Sequence, residues 1–158
     1  MKVTTDTPDL LIVEDRPVVI AIALIVFTLV FLGAGLLILA TGEWWGLFFA
    51  GFGGGMGLLF FAVFVRRVQV IFHRPERYVE VRRKNVFRAS KVRYDLREIS
   101  RAIVESSRSS EGGTTYRVTL VIDAGESAGL HPVTFAYSSG SGHANAATAI
   151  NDWLEAGR

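Results

Sequence analysis

The residues best suited to acid–base chemistry or metal binding are spread thinly along this chain of 158 residues. It has no cysteine, which excludes a disulfide framework, a thiolate nucleophile and a cysteine-ligated metal centre. Its three histidines are His73, His131 and His143. None of them forms the His-x-x-x-His or His-x-x-Glu-His spacing that brings two ligands together. We therefore expect no metal site and no cofactor.

Four serines lie close together before a pair of glycines, and a serine nucleophile would need a neighbouring base. They are Ser106, Ser107, Ser109 and Ser110. Because Glu111-Gly112-Gly113 follows directly, the composition is typical of a polar hairpin loop. The sequence predicts no catalytic residue, no small-molecule substrate and no enzyme.

A run of seven basic residues between positions 66 and 84 could bind anionic lipid head groups, because each Lys or Arg near such a surface contributes about 1 kcal/mol. We expect these contacts from Arg66, Arg67, Arg74 and Arg77. The alternative is that the run only fixes membrane topology and covers strand faces. Nucleic-acid binding is not indicated, since residues 66–158 carry 15 Lys+Arg against 10 Asp+Glu and contain no recognition motif.

Two long uncharged segments precede the basic run. Residues 17–65 contain a single charged residue, Glu43, which lies between the segments 17–40 and 44–65. As helices they would be about 36 and 33 Å long, enough to cross a bilayer. The short link between them forces an antiparallel hairpin and places Trp44 and Trp45 at the lipid–water boundary, where indole rings are favoured.

The topology of these segments follows from their flanks. A cleaved signal peptide is the alternative for the first segment, but its apolar stretch is too long and Ile38-Leu39-Ala40 is not a small-x-small cleavage site. The hairpin tip has no Lys or Arg, the N-terminal arm has two, and residues 66–84 have seven. This asymmetry predicts a membrane protein with two spans and both termini in the cytoplasm.

Nine of the 16 glycines lie between positions 33 and 57. The second segment contains Gly51-x-x-x-Gly55 overlapping Gly53-x-x-x-Gly57, and such small-residue faces let helices approach closely in lipid. One interpretation is that this face packs only against the first segment, at Gly33 and Gly35. The other is that it docks against another integral membrane protein.

Residues 66–158 have the pattern of a small β-rich domain. Period-two alternation and turn signals predict about seven short strands, at 68–72, 78–81, 86–89, 91–94, 100–107, 118–122 and 132–137. The final segment predicts an amphipathic helix whose apolar face consists of Ala146, Ala147, Ile150, Trp153 and Leu154, while Asn151, Asp152 and Glu155 lie on another face. The fold class is therefore α+β, a bent antiparallel sheet or open barrel closed by a C-terminal helix.

A polar arm, residues 1–16, precedes the first apolar segment and contains the apolar stretch Leu10–Val13. This stretch either adds a strand to an exposed sheet edge or remains loose. Because the arm and the domain share one side of the membrane, we expect it to dock.

The order of strands and helix resembles that of a pleckstrin-homology (PH) domain. The tract 78–99 is similar to bacterial PH-like membrane proteins, in which strand, basic turn and strand lead to an aromatic-x-Leu-x-x-Ile element, here Tyr94-Asp-Leu96-Arg-Glu-Ile99. Trp153 resembles the tryptophan in the closing helix of eukaryotic PH domains. The resemblance implies a binding or scaffolding module without catalysis. Together with the membrane segments it predicts an accessory or assembly subunit of an inner-membrane complex, with recognition of membrane lipids by the basic face as the alternative.

Overall fold

The computed structural model describes residues 1–108 and 112–157. Two compact units are present. One, the sheet domain, consists of Met1–Asp15, Val68–Arg83 and Ser90–Arg158; the other, the helical unit, consists of Arg16–Arg67 and Lys84–Ala89. Four serines were predicted to lie in a loop. Ser106 and Ser107 lie in a strand instead, and Ser109 and Ser110 lie outside the described residues.

Two antiparallel sheets form the β structure. The five-stranded sheet has the order β1-β2-β3-β4-β5, with bounds Lys2–Asp6, Leu10–Asp15, Arg67–His73, Tyr78–Lys84 and Ala89–Asp95. The three-stranded sheet has the order β6-β7-β8, with bounds Ile99–Arg108, Thr114–Ile122 and Gly129–Pro132. A single 3₁₀ turn at Leu96–Glu98 joins the sheets, and α3, Gly142–Glu155, follows the last strand.

The N-terminal arm is part of the larger sheet. Strand β2 pairs with β3 from Leu10 opposite His73 to Asp15 opposite Val68, so the expected docking of the arm is confirmed. Leu11 and Val13 are at most 1% exposed, because every second residue of the stretch faces the core. The two long helices are thus inserted between two adjacent, directly paired strands.

The core of the sheet domain is formed by the inward-facing residues of both sheets and the apolar face of α3. Its fully buried members include Leu11, Val70, Phe72, Val79, Val118, Leu120 and Ile150. The five apolar residues predicted on the inner face of α3 are all buried. Asn151, predicted on the outer face, is half-buried: its side-chain oxygen accepts from the Ala102 N–H at 2.7 Å and its nitrogen donates to the Ala102 carbonyl at 3.0 Å.

Two predicted strands are wrong. Residues 86–88 form the turn between β4 and β5, because the Asn85 side chain accepts hydrogen bonds from the backbone N–H groups of Phe87 and Arg88. The strand predicted at 132–137 lies earlier, at Gly129–Pro132. Proline has no N–H to continue the ladder, and the Pro132 and Val133 carbonyls accept from the Arg83 side chain.

The helical unit contains α1, Val18–Ala40, and α2, Trp45–Phe64, each within two residues of the predicted bounds. Both are long and apolar enough to cross a membrane. Gly42 lies in the link between them with a φ of +86°, a left-handed conformation that favours glycine. Gly35 is the only buried residue of α1 within the described chain, whereas a core helix of a soluble domain buries a whole apolar stripe.

Candidate functional site

Five glycines form the contact between α1 and α2. They are Gly35, Gly46, Gly53, Gly54 and Gly57. A methyl group at Gly35 would lie 2.6 Å from the backbone nitrogen of Ala50, and one at Gly54 would lie 2.9 Å from a side-chain carbon of Leu32. The backbones of the two helices are therefore too close for larger residues. Small residues at helix contacts in lipid allow this close approach.

The overlapping glycine motifs face opposite ways. Gly53 is packed against Phe31 and Gly57 against Thr28, whereas a methyl group at Gly51 or Gly55 would meet no atom of the described chain within 4 Å. Two residues along a helix turn the direction by about 200°, so the Gly51-x-x-x-Gly55 motif lies away from α1. Gly35 takes part in the contact between the helices and Gly33 lies in open space.

Large exposed side chains lie on the same side of α2 as Gly51 and Gly55. These side chains are Phe48, Phe52, Leu58 and Leu59, which are 52–64% exposed. The Phe48 and Phe52 rings stack with centroids 5.6 Å apart. We call Phe48, Gly51, Phe52, Gly55, Leu58 and Leu59 the outer glycine face.

Trp44 and Trp45 lie at the start of α2, at the tip of the helical hairpin. They are 65% and 53% exposed and stack on each other with ring centroids 4.1 Å apart. This geometry leaves both indoles accessible, as an interfacial anchor requires.

The four arginines expected to bind head groups have separate roles. The Arg66 side chain donates to the Val63 carbonyl at 3.0 Å and so closes the C-terminal end of α2. Arg67 begins β3. Arg77 lies in the turn after β3 with a φ of +55°, and its side chain is exposed.

The Arg74 side chain contacts the C-terminal end of α3. Its guanidinium lies 4.1 Å from the centroid of the Trp153 ring and donates to the Trp153 carbonyl at 2.5 Å. A cation at a helix C-terminus is favourable because the last carbonyls carry partial negative charge. The same indole donates to the Thr7 carbonyl at 2.7 Å, and an open cleft of about 770 Å³ lies beside these residues. Trp153 therefore joins the β1–β2 turn to the closing helix.

The strongest electrostatic features of the sheet domain are carboxylates bound by arginines. Glu80 is fully buried and accepts from Arg93 and Arg82. These hydrogen bonds, that from Arg93 first, lower the pKa of Glu80 below its ordinary value of 4.5. Arg117 likewise lowers the pKa of Glu105, its direct neighbour across β6 and β7. The Glu80–Arg93 pair joins β4 to β5, and the Glu105–Arg117 pair joins β6 to β7.

The histidines do not converge on one site. His73 stacks on Tyr78 with ring centroids 5.3 Å apart, and His131 accepts or donates at 3.1 Å to the Tyr94 hydroxyl. His143 is 2% exposed; one ring nitrogen lies 3.0 Å from the Ser138 hydroxyl and the other 3.2 Å from the Gly140 carbonyl. This serine–histidine contact fixes the start of α3. Within residues 1–108 and 112–157, no three metal-ligating side chains lie together.

Neither a protein-family model nor a curated protein sequence matches the chain. Function must therefore be inferred from its own surfaces. The sequence interpretation took the two overlapping motifs as one face and placed Gly33 in the contact, whereas a methyl group at Gly33 would meet no described atom within 4 Å. The 200° step between positions two apart was the signal that could have separated the two motifs.

Proposed function

We propose that this chain is an accessory or assembly subunit of a bacterial inner-membrane complex. In this proposal α1 and α2 span the membrane, both termini and a PH-like sheet domain lie in the cytoplasm, and a helix of another integral membrane protein packs on the outer glycine face. The sheet domain serves as a scaffold for a cytoplasmic surface of the same complex.

The observation that carries the proposal is the open Gly51-x-x-x-Gly55 motif. The hairpin satisfies its own close packing with other glycines, so Gly51 and Gly55 contribute nothing to the contact with α1. In lipid, apolar side chains gain nothing from leaving their surroundings, and close approach at small residues is the main source of helix association. A second helix seated between Phe48, Phe52 and Leu58 would gain that contact.

Two further observations support the membrane topology. Strands β2 and β3 are paired along their length, so the arm and the sheet domain must lie on the same side of any membrane that the helices cross. The basic residues are on that side and none is at the hairpin tip, which favours the cytoplasm. Cleavage after α1 would remove β1 and β2 from the sheet.

The test is co-purification of partner proteins with a tagged chain in mild detergent, identified by mass spectrometry. Gly55→Leu places a large side chain on the outer glycine face, and we expect it to lose the partner while the chain still inserts and folds. Gly33→Leu is the matched control, because Gly33 is equally open but lies on α1; it should keep the partner. Retention of the same partner by Gly55→Leu and by Gly51→Leu would refute docking at this face.

A further inference from the structure

The turn between β4 and β5 presents an exposed apolar pair. Val86 is 61% and Phe87 75% exposed, and outside the two long helices no other large apolar residue described is as exposed as Phe87. Exposure of such a pair to water at the β4–β5 turn is unfavourable. An exposed apolar patch of this kind is typical of a binding surface.

The turn holds this pair in a defined conformation. The Asn85 side-chain oxygen accepts from the Phe87 N–H at 3.1 Å and from the Arg88 N–H at 2.6 Å. The Asn85 N–H in turn donates to the Arg88 carbonyl at 2.9 Å. An asparagine that closes a turn in this way is a common fixed turn geometry. The two apolar side chains are therefore displayed by a turn closed by three hydrogen bonds.

The charge around the tip has one sign. Residues 81–94 contain six Lys and Arg and no Asp or Glu. Arg82 and Arg93 are bound to Glu80 and Arg83 to backbone carbonyls. The remaining three, Lys84, Arg88 and Lys91, are exposed and form no ion pair among the described residues. An apolar tip with a collar of free cations matches the layered chemistry of an anionic bilayer surface.

Residues 84–89 group with residues 16–67 in the helical unit and not with the sheet domain. The tip is therefore part of the unit that contains both membrane-length helices.

We propose that the β4–β5 tip is a third membrane contact, which inserts Val86 and Phe87 into the interfacial layer of an anionic bilayer while Lys84 and Arg88 bind lipid phosphates. This site is separate from the outer glycine face and needs no partner protein. It rests on one part of the proposed function, the crossing of a membrane by α1 and α2.

The experiment uses single-cysteine variants of the full chain, because the natural sequence has no cysteine and each label is unique. Phe87→Cys carries a nitroxide at the tip, and Leu130→Cys, an exposed apolar residue of β8 at 57% exposure, is the matched control. Leu58→Cys, in α2, is the reference for the hydrocarbon region. The chain is reconstituted in phosphatidylcholine vesicles containing phosphatidylglycerol. Accessibility of each label to oxygen and to a water-soluble nickel chelate is measured by electron paramagnetic resonance.

We expect the label at position 87 to become more accessible to oxygen and several-fold less accessible to nickel than the label at position 130. A second chain carrying Lys84→Gln and Arg88→Gln should reduce this difference, as should high salt, because both weaken binding to anionic phosphates.

Three results would overturn the proposal. Equal nickel accessibility at positions 87 and 130, with position 58 in hydrocarbon, would place the tip in water and leave the partner proposal untouched. Loss of accessibility to both reagents at position 87 would mean that a protein, such as a second copy, covers the tip. A water-accessible label at position 58 would contradict the membrane anchor itself and both proposals with it.

Discussion

At the scale of single residues, Glu80 shows how the sheet domain tolerates a buried charge. An unpaired carboxylate in this position would be strongly destabilising, and two arginines prevent that by donating to it. Glu80→Gln removes the charge and turns one acceptor into a donor that faces an arginine. We expect the free energy of unfolding to fall by about 1–3 kcal/mol, measured by urea denaturation of the full chain in detergent.

Glu76→Gln is the control for this prediction. Glu76 is 63% exposed and its nearest ion-pair contact, to His73, is 3.9 Å long, so its replacement should change stability by less than about 0.5 kcal/mol. Equal effects of the two variants would show that the buried pair contributes nothing specific.

The lowered carboxylate pKa values predict loss of stability in acid. An acid whose pKa is lower in the folded than in the unfolded chain stabilises the fold above its ordinary pKa, and that stabilisation is lost as pH falls. For Glu80 and Glu105 the loss begins near the ordinary value of 4.5. It extends downward to the region of Asp95, whose pKa Arg97 lowers to about 2. The melting temperature should therefore decrease as the pH is lowered from 4.5 to 2, and it should decrease less steeply in Glu80→Gln.

These residue-level contacts could not be predicted from the sequence. Glu80 and Arg93 lie on different strands, so their meeting depends on strand register, and register depends on the turn at Asn85. The sequence indicated a basic surface between residues 66 and 84. It did not indicate that Arg74 binds the end of α3 or that Arg82 binds a buried carboxylate.

At the scale of elements, the helical hairpin tests how close packing depends on single glycines. A methyl group at Gly57 would overlap the Thr28 hydroxyl, and Thr28 cannot easily turn away because it donates to the Leu24 carbonyl at 2.8 Å. We expect Gly57→Ala to destabilise the hairpin by about 1–3 kcal/mol. The measurement is the loss of helical circular dichroism as a denaturing detergent is added.

Gly55→Ala is the control, two residues away on the same helix. Its methyl group enters open space and alanine has the better helix propensity, so the variant should be as stable as the natural chain or slightly more stable. If Gly55→Ala were the more harmful of the two, the assignment of inner and outer faces would be reversed.

Elements were predicted well where one physical signal dominates. The two long helices were predicted because an uncharged, apolar stretch of that length is typical of a membrane-length helix. The closing helix was predicted because its apolar residues repeat at helical spacing. The strand predicted at 86–89 failed because Val86 and Phe87 have high strand propensity, which reflects packing on a half-buried surface. Here the pair is exposed at a tip, and propensity carries no information about that.

At the scale of the whole molecule, the sheet domain is built from chain segments that precede and follow the helical hairpin. Residues 66–158 alone lack β1 and β2, and with them two fully buried core side chains, Leu11 and Val13. Because Asp15 pairs with Val68, a two-residue Asn-Gly turn in place of residues 16–67 should close the strands directly. We expect that shortened chain to be soluble and to unfold cooperatively in urea.

The fragment 66–158 is the matched comparison for this prediction. Losing one buried leucine typically costs about 2–5 kcal/mol, so a fragment without the whole β1–β2 pair should be digested rapidly by protease. A protease-resistant fragment 66–158, as stable as the shortened chain, would show that the arm is dispensable.

The insertion of the helices between β2 and β3 also ties folding to correct biogenesis. During synthesis β2 is made first, and its partner emerges only after both helices. If only one helix crossed the membrane, β2 and β3 would be left on opposite sides and the core could not form. If both cross, their antiparallel packing brings the two strand ends together and removes most of the entropic cost of closing so long a loop. If the helices cross a membrane as proposed, we expect correct insertion to be a condition for folding of the sheet, because wrongly inserted copies cannot pair β2 with β3.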